Sequence, residues 1–246
     1  MELNDWLGAI ESEGRLFGEL AASRPDQVVP SCPEWNLADL VGHLGAVHRR
    51  ITAVLLSGAV PDQPEGLPAS AERPDWYQEG LEGLLSAFAE TDPGQPAWNW
   101  SASEQVASFW WRRMAHETAL HCWDARGVAG DPAAMDATLA SDGIDEWFDV
   151  FLRAGVGDQA STHTETGQSA VPGTIHVHCG DVDGEWWAQF DGSQLQLERT
   201  HRKGDVVMRA EAFSLLLVLW GRRPATSVEV LGDAALLAPW LSGIRS

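Results

Sequence analysis

A chain of 246 residues with 44% apolar side chains can bury one large core or two modest ones, and its composition is that of a folded protein. Its formal net charge of -20, from 36 acidic against 16 basic side chains, repels phosphate backbones and anionic lipid surfaces, which argues against nucleic-acid and membrane partners. No apolar run reaches the roughly 18 residues of a membrane span, and acids sit where a secretory leader would carry basic residues, so a cytoplasmic protein is expected.

Cys32, Cys122 and Cys179 are widely spaced and form no CxxC pair, which argues against a disulfide framework or an all-cysteine zinc site. Any metal here has to be held by histidine and carboxylate.

The first half reads as helices. Residues 3–21 predict a first helix, ended by Arg24-Pro25, and the segment from Pro30 to Trp35 predicts a rigid connector. Asn36 with Asp39 three residues on predicts a capping-box start for a second helix, which runs to Ser57 before Gly58. A third helix is expected from Asp75 to Glu90, after a proline-rich loop. Ser101 and Glu104 suggest another capping box, opening a long helix that stops near Gly127. A fifth helix is expected from Pro132 to Leu152, with proline in its first turn.

From Ala154 to Ser169 the chain turns small and polar, the composition of a linker. Beyond it the period changes. TIHVHC alternates, EWWAQF and LQLERT are short strand-like runs, VVMRA leads into the apolar helix EAFSLLLVLWG, and SVEVLG and DAALLAPWL close the chain. The expected organisation is a helical domain over residues 1–153 and a small α+β domain over residues 170–246.

The chemistry concentrates on the fourth helix. Residues four apart on an α-helix lie about 40° apart on one face, and Glu117 and His121 have that spacing. Val106, Trp110, Met114 and Leu120 fall within about 60° of Glu117 on the same helical wheel, so the two polar groups sit in the apolar arc. A carboxylate buried there needs a cation. Arg113, four residues earlier, is one source, and a metal ion shared with His121 is the other. The second helix offers His43, at the edge of its apolar arc, and His48, within it. Periodicity does not choose between them. Either would complete two imidazoles and one carboxylate with an open fourth position, the pattern of catalytic zinc sites. His116 and His121 are five apart, about 140° around the helix, so HETALH is not a zinc-protease helix.

Two segments, SCPEWNLADLVGHLGAVHRR and FWWRRMAHETALHCWDA, resemble the paired signatures of the mycothiol-dependent maleylpyruvate isomerase family, within the DinB-like metalloenzyme superfamily. The resemblance covers nearly the whole chain. It implies a DinB-like four-helix bundle followed by a sterol-carrier-like α+β domain. It also implies a divalent metal, with zinc the expected ion, on His43, Glu117 and His121, which selects His43 over His48. Mycothiol is then the thiol cofactor, held as thiolate by the metal's charge. The implied activity is isomerisation or thiol transfer on a small, maleylpyruvate-like electrophile, by a monomer or homodimer.

Other residues have more than one reading. Asp124 could accept the second ring N–H of His121, or lie near the helix end as a surface acid or a partner of Arg126 or Arg113. Arg113 could hold an anionic substrate or the thiol, whereas Arg49, Arg50 and Arg112 read as solvated helix surface. Cys32 and Cys122 read as small buried hydrophobes, and the cluster Trp98, Trp100, Trp110 and Trp111 as core before substrate cleft. His176 and His178 share one strand face and, with no third partner nearby in sequence, read as structural. The rival to a metal-dependent thiol enzyme is a non-catalytic binding protein whose bundle metal is structural.

Overall fold

The computed structural model describes residues 1–63, 65–130, 133–153, 171–191 and 194–242, and divides into two compact units, Met1–Ala133 and Ala134–Ser246. Four long helices build the N-terminal unit: α1 (Leu3–Ser23), α2 (Leu37–Ser57), α3 (Arg73–Glu90) and α4 (Ser108–Ala129). α1 packs on α4 and α2 on α3, with further contacts between α1 and α3 and between α2 and α4. Ile10, Phe17, Leu40, Leu44, Leu55, Tyr77 and Leu81 fill the space between them. Where the sequence predicts a rigid connector, β1 (Val28–Val29) pairs antiparallel with β2 (Cys32–Asn36) and delivers the chain into α2.

α2 starts and stops as its sequence dictates. The Asp39 backbone N–H donates to Asn36 Oδ1 at 2.9 Å, and the Asn36 N–H donates to Asp39 Oδ2 at 3.2 Å. Gly58, at φ 75°, closes the other end in the left-handed conformation. Gly45 lets α3 come close: a Cβ there would lie 2.4 Å from the Trp76 ring. Arg49 then stacks over Trp76 at 4.6 Å and donates to its carbonyl at 2.7 Å.

α4 begins later than expected. Residues before Ser108 fold back instead, with Pro96 bridged to Val106. Asn99 organises this turn: its Oδ1 accepts from the Ser101 N–H at 3.0 Å and the Ser101 hydroxyl at 2.7 Å. Ser101 is thereby drawn into a local side-chain turn rather than a helix cap, and Val106 lies outside the helix.

The second unit holds α5 (Ala137–Glu146), continued by a wider π turn over Trp147–Leu152, and a five-stranded sheet. Its strands are β3 (Thr174–Cys179), β4 (Glu185–Asp191), β5 (Gln194–Glu198), β6 (Val206–Ala210) and β7 (Glu229–Gly232), in the order β5-β4-β3-β6-β7. β3 and β6 run parallel and the other neighbours antiparallel. α6 (Ala212–Leu219), apolar almost throughout, packs on β3 and β6, and α7 (Leu237–Ser242) ends the described chain.

The expected boundary, with the fifth helix inside a domain of residues 1–153, differs from the one observed. α5 packs against α6. Its Asp145 accepts from Trp186 Nε1 at 2.7 Å and from Arg199 Nε at 2.5 Å, and the Ser141 hydroxyl donates to the Asp183 carbonyl at 3.2 Å. Helical periodicity marks a buried stripe but not which neighbour covers it. Pro132 and the expected linker of residues 154–169 lie outside the described residues.

Gly232 lies at φ 83° at the end of β7, and a Cβ there would meet the Asp205 carbonyl oxygen at 2.1 Å. That oxygen is backbone and already accepts from the Asp233 N–H at 2.9 Å, so it cannot move aside. Gly232→Ala is expected to cost about 2 kcal/mol or more. Gly221→Ala, at φ 69° with nothing within 4 Å, is expected to cost only about 1 kcal/mol. Denaturant titration of both variants checks the order, and equal losses would contradict it.

Candidate metal centre

α2 and α4 bring His43, Glu117 and His121 together, one ligand atom from each lying within 4.8 Å of the others. Glu117 sits at the centre. Its Oε1 is 3.1 Å from His43 Nε2 and 3.4 Å from His121 Nε2, while Arg113 donates to its Oε2 at 2.6 Å. Of the two cations weighed from the sequence, the guanidinium takes one carboxylate oxygen, and the other oxygen faces two imidazoles. The His43 and His121 rings stand edge to face with centroids 5.0 Å apart, and Trp35 packs against His43 at 5.1 Å.

The histidine behind this face is held from the rear. His121 Nδ1 lies 3.0 Å from Asp124 Oδ2, and Ser31, in the β1–β2 turn, donates to Asp124 Oδ1 at 2.5 Å. Asp124 is fully buried, so of its alternative readings the surface acid does not hold. With Nδ1 engaged, Nε2 of His121 is the nitrogen turned toward Glu117. This is the arrangement by which a carboxylate orients a ligand imidazole.

Electrostatics follow from the packing. Burial pushes the Glu117 carboxyl pKa up, but hydrogen bonds from His121 and His43 and the Arg113 charge outweigh it, and the group is held well below the usual carboxylate range. For His121, burial favours the neutral ring, yet the hydrogen bonds to Asp124 and Glu117 win and raise its pKa to about 9. One oxygen and two nitrogen donors converging in this way suit a divalent ion of borderline softness.

His48 goes elsewhere. It is fully buried, its Nε2 lies 3.0 Å from the Thr118 hydroxyl, and its ring packs beside Tyr77 at 5.6 Å. His116 is buried too and outside the convergent group. Arg113 is only 3% exposed with a nitrogen committed to Glu117, a position from which it orients that carboxylate. Arg49 is engaged with α3, and Arg50 stacks over Trp98 at 5.6 Å. Trp110 and Trp111 are buried core, while Trp100 remains exposed. Cys122 is fully buried, and burial pushes its thiol pKa upward; Cys32 is half-buried in β2. Sequence reasoning missed Ser31 and Thr118. A single hydroxyl whose partner lies 93 positions away leaves no periodic signal.

Comparison with known proteins bears on the whole chain. Residues 8–126 match the family described as mycothiol maleylpyruvate isomerase N-terminal domain, and residues 138–239 match the MDMPI C-terminal domain. The chain belongs to the mycothiol-dependent maleylpyruvate isomerase family. The second match starts within α5, in agreement with the packing of that helix into the second unit. A solved structure of the mycothiol-dependent maleylpyruvate isomerase, a histidine-to-alanine mutant, superposes with a TM-score of 0.57 over 95% of each chain at 11% identity. That likeness concerns the fold: a helical N-terminal region followed by a sheet-containing domain. Comparison with curated proteins finds no match. No helix among the described residues is long and apolar enough to cross a membrane.

His48 also gives this family member a pH signature. Burial lowers its pKa from 6.5 to about 3, so its neutral form contributes stability that is complete above about 6.5 and lost as pH falls toward 3. His48→Gln, which keeps a donor for Thr118, is expected to lower stability at pH 7 and to flatten its decline between pH 6.5 and 4. Thermal melts across that range measure the slope, and an unchanged slope would count against the assignment.

Proposed function

We propose that this protein is a metal-dependent, mycothiol-using isomerase or thiol transferase acting on a small electrophile, maleylpyruvate-like in class. The observation that carries the reading is the convergence of His43 Nε2, Glu117 Oε1 and His121 Nε2 from two helices, in a chain of this family. These three side chains hold the ion, and zinc is the expected one. When bound, a divalent ion supplies an open coordination position and the positive charge that keeps a thiol deprotonated at neutral pH.

The chain's own residues then divide the work. Asp124, steadied by Ser31, holds the His121 ring so that Nε2 faces inward. Arg113 takes Glu117 Oε2 and limits the carboxylate to one donor oxygen toward the imidazoles. Trp35, half-buried against His43, restricts how that ring can turn. The helical unit is read as a DinB-like four-helix bundle, supported by the pairing of α1 with α4 and α2 with α3. The second unit is read as sterol-carrier-like, supported by its mixed sheet with helices. A cytoplasmic location and a monomer or homodimer belong to the same reading; no helix among the described residues is long and apolar enough to cross a membrane.

Purified protein is expected to carry a metal equivalent that His43→Ala and Glu117→Ala each lose, measured by elemental analysis. Asp124→Asn is expected to weaken that binding roughly 10- to 100-fold while leaving the ligand set intact. Metal-loaded protein is expected to bind mycothiol and to accelerate its addition to an activated double bond, followed spectrophotometrically over a panel that includes maleylpyruvate. Metal-loaded protein that neither binds mycothiol nor promotes thiol addition to any panel member would overturn the enzymatic reading.

A further inference from the structure

A second cluster of histidines and a carboxylate lies in the sheet-containing unit, wholly separate in sequence from the first. His176 and His178 alternate along β3 and so share a face. Antiparallel pairing sets His178 directly opposite Glu185 on β4. The segment joining β5 to β6 crosses the same face and brings in His201. One ligand atom from each of the four residues lies within 4.8 Å of all the others. His178 Nδ1 is 2.6 Å and His201 Nδ1 3.1 Å from the same oxygen, Glu185 Oε1, and the rings of His176 and His201 are 5.2 Å apart.

Mutual hydrogen bonding does not account for this cluster. Two imidazoles crowd one carboxylate oxygen, and the third is left over. The His176 side chain is 5% exposed and its Nε2 makes no hydrogen bond, standing 4.0 Å from Glu185 Oε2. A buried ring nitrogen aimed at three other donor groups without a partner needs an explanation.

The crossing segment is also held in place. The Trp187 indole N–H donates to the Lys203 carbonyl at 3.2 Å, and Arg202 stacks over the Trp187 ring at 3.6 Å. Gly204 presses on β3 so closely that a Cβ would lie 2.9 Å from the His176 backbone nitrogen. Asp205 Oδ2 accepts from the Thr174 N–H at 2.9 Å and its hydroxyl at 2.8 Å. His201 therefore approaches from a tethered segment, although its own side chain is exposed. Beside the cluster is an open cleft of about 690 Å³ whose lining includes His178, Glu185, Asp181 and Asp183, an acidic approach for a cation.

We propose that His176, His178, Glu185 and His201 form a second divalent-metal site, specific for a borderline transition-metal ion such as zinc. Three imidazoles and one carboxylate supply four protein ligands, the number that closes a tetrahedral site. Tetrahedral coordination at zinc distances sets donor atoms roughly 3.4 Å apart. The present separations bracket that value: the His178–Glu185 contact of 2.6 Å has to lengthen and the 4.0 Å between His176 and Glu185 to shorten, while the exposed His201 side chain is free to adjust. A closed site of this kind is structural: it clamps the β5–β6 segment to the face of the sheet.

Zinc titration of the chelator-stripped full chain, by calorimetry and by the visible spectrum of the cobalt-substituted protein, tests this. His43→Ala protein is expected to retain one binding event, and zinc is expected to raise its melting temperature. Adding His201→Ala or Glu185→Gln to His43→Ala is expected to weaken that event at least 10-fold and to abolish the thermal shift. Both changes avoid the buried His176, whose replacement risks the fold itself, and circular dichroism verifies that the variants fold. Absence of zinc binding in His43→Ala protein, or binding unaltered by His201→Ala and Glu185→Gln, overturns the proposal. The N-terminal reading fails separately, if His43→Ala binds as many equivalents as the unsubstituted chain.

Discussion

The N-terminal unit is arranged around a single difficulty, an ionised carboxylate at Glu117 on the inward face of α4. An uncompensated charge there would be expelled or neutralised. Arg113 from the same helix and two imidazoles from α2 and α4 provide the compensation. Each of these groups then makes its own demand. His121 requires Asp124, the buried Asp124 requires the Ser31 hydroxyl, and Ser31 is delivered by the β1–β2 turn that also positions the start of α2. The polar chain thus runs from the connector through α4 and back to α2, with Asp124 and His121 buried and Glu117 and His43 buried in part.

The helices that carry these groups are held by ordinary packing chemistry. Gly45 allows the ring of Trp76 against the α2 backbone, and Arg49 stacks over that ring. His48, five residues and about 140° around the helix from His43, is engaged away from the site by Thr118 and Tyr77. Two histidines between which periodicity does not choose are thus separated into a neutral core residue and a candidate ligand by their places around α2 and the neighbours met there. The likeness to the solved isomerase, at 11% identity, concerns the fold.

In the second unit the sheet plays the part that helix packing plays in the first. Strand alternation collects His176 and His178, and cross-strand pairing adds Glu185, before any tertiary contact is considered. The decisive addition is His201, which the loop after β5 returns to the same face. Without it the two strand histidines look structural, which is how they read in isolation. α5 makes the same point at a larger scale. Its amphipathic pattern is plain, but the partner of its buried stripe is α6, with Trp186 and Arg199 fixing Asp145.

Local rules were enough for the caps of α2, the alternation of β3, the close order of strands after it, and the placement of Glu117 and His121 on one arc of α4. Each depends on residues within a few positions of one another, where helix and strand geometry leave little choice. The late start of α4 escaped because Asn99 offered Ser101 a competing local hydrogen bond. The convergence of His43 with Glu117, 74 positions apart, was beyond those rules, as were the Ser31 partner of Asp124, 93 positions away, and the return of His201. Which faces meet is decided by the packing of whole helices and the path of whole loops, and that depends on every side chain between them at once.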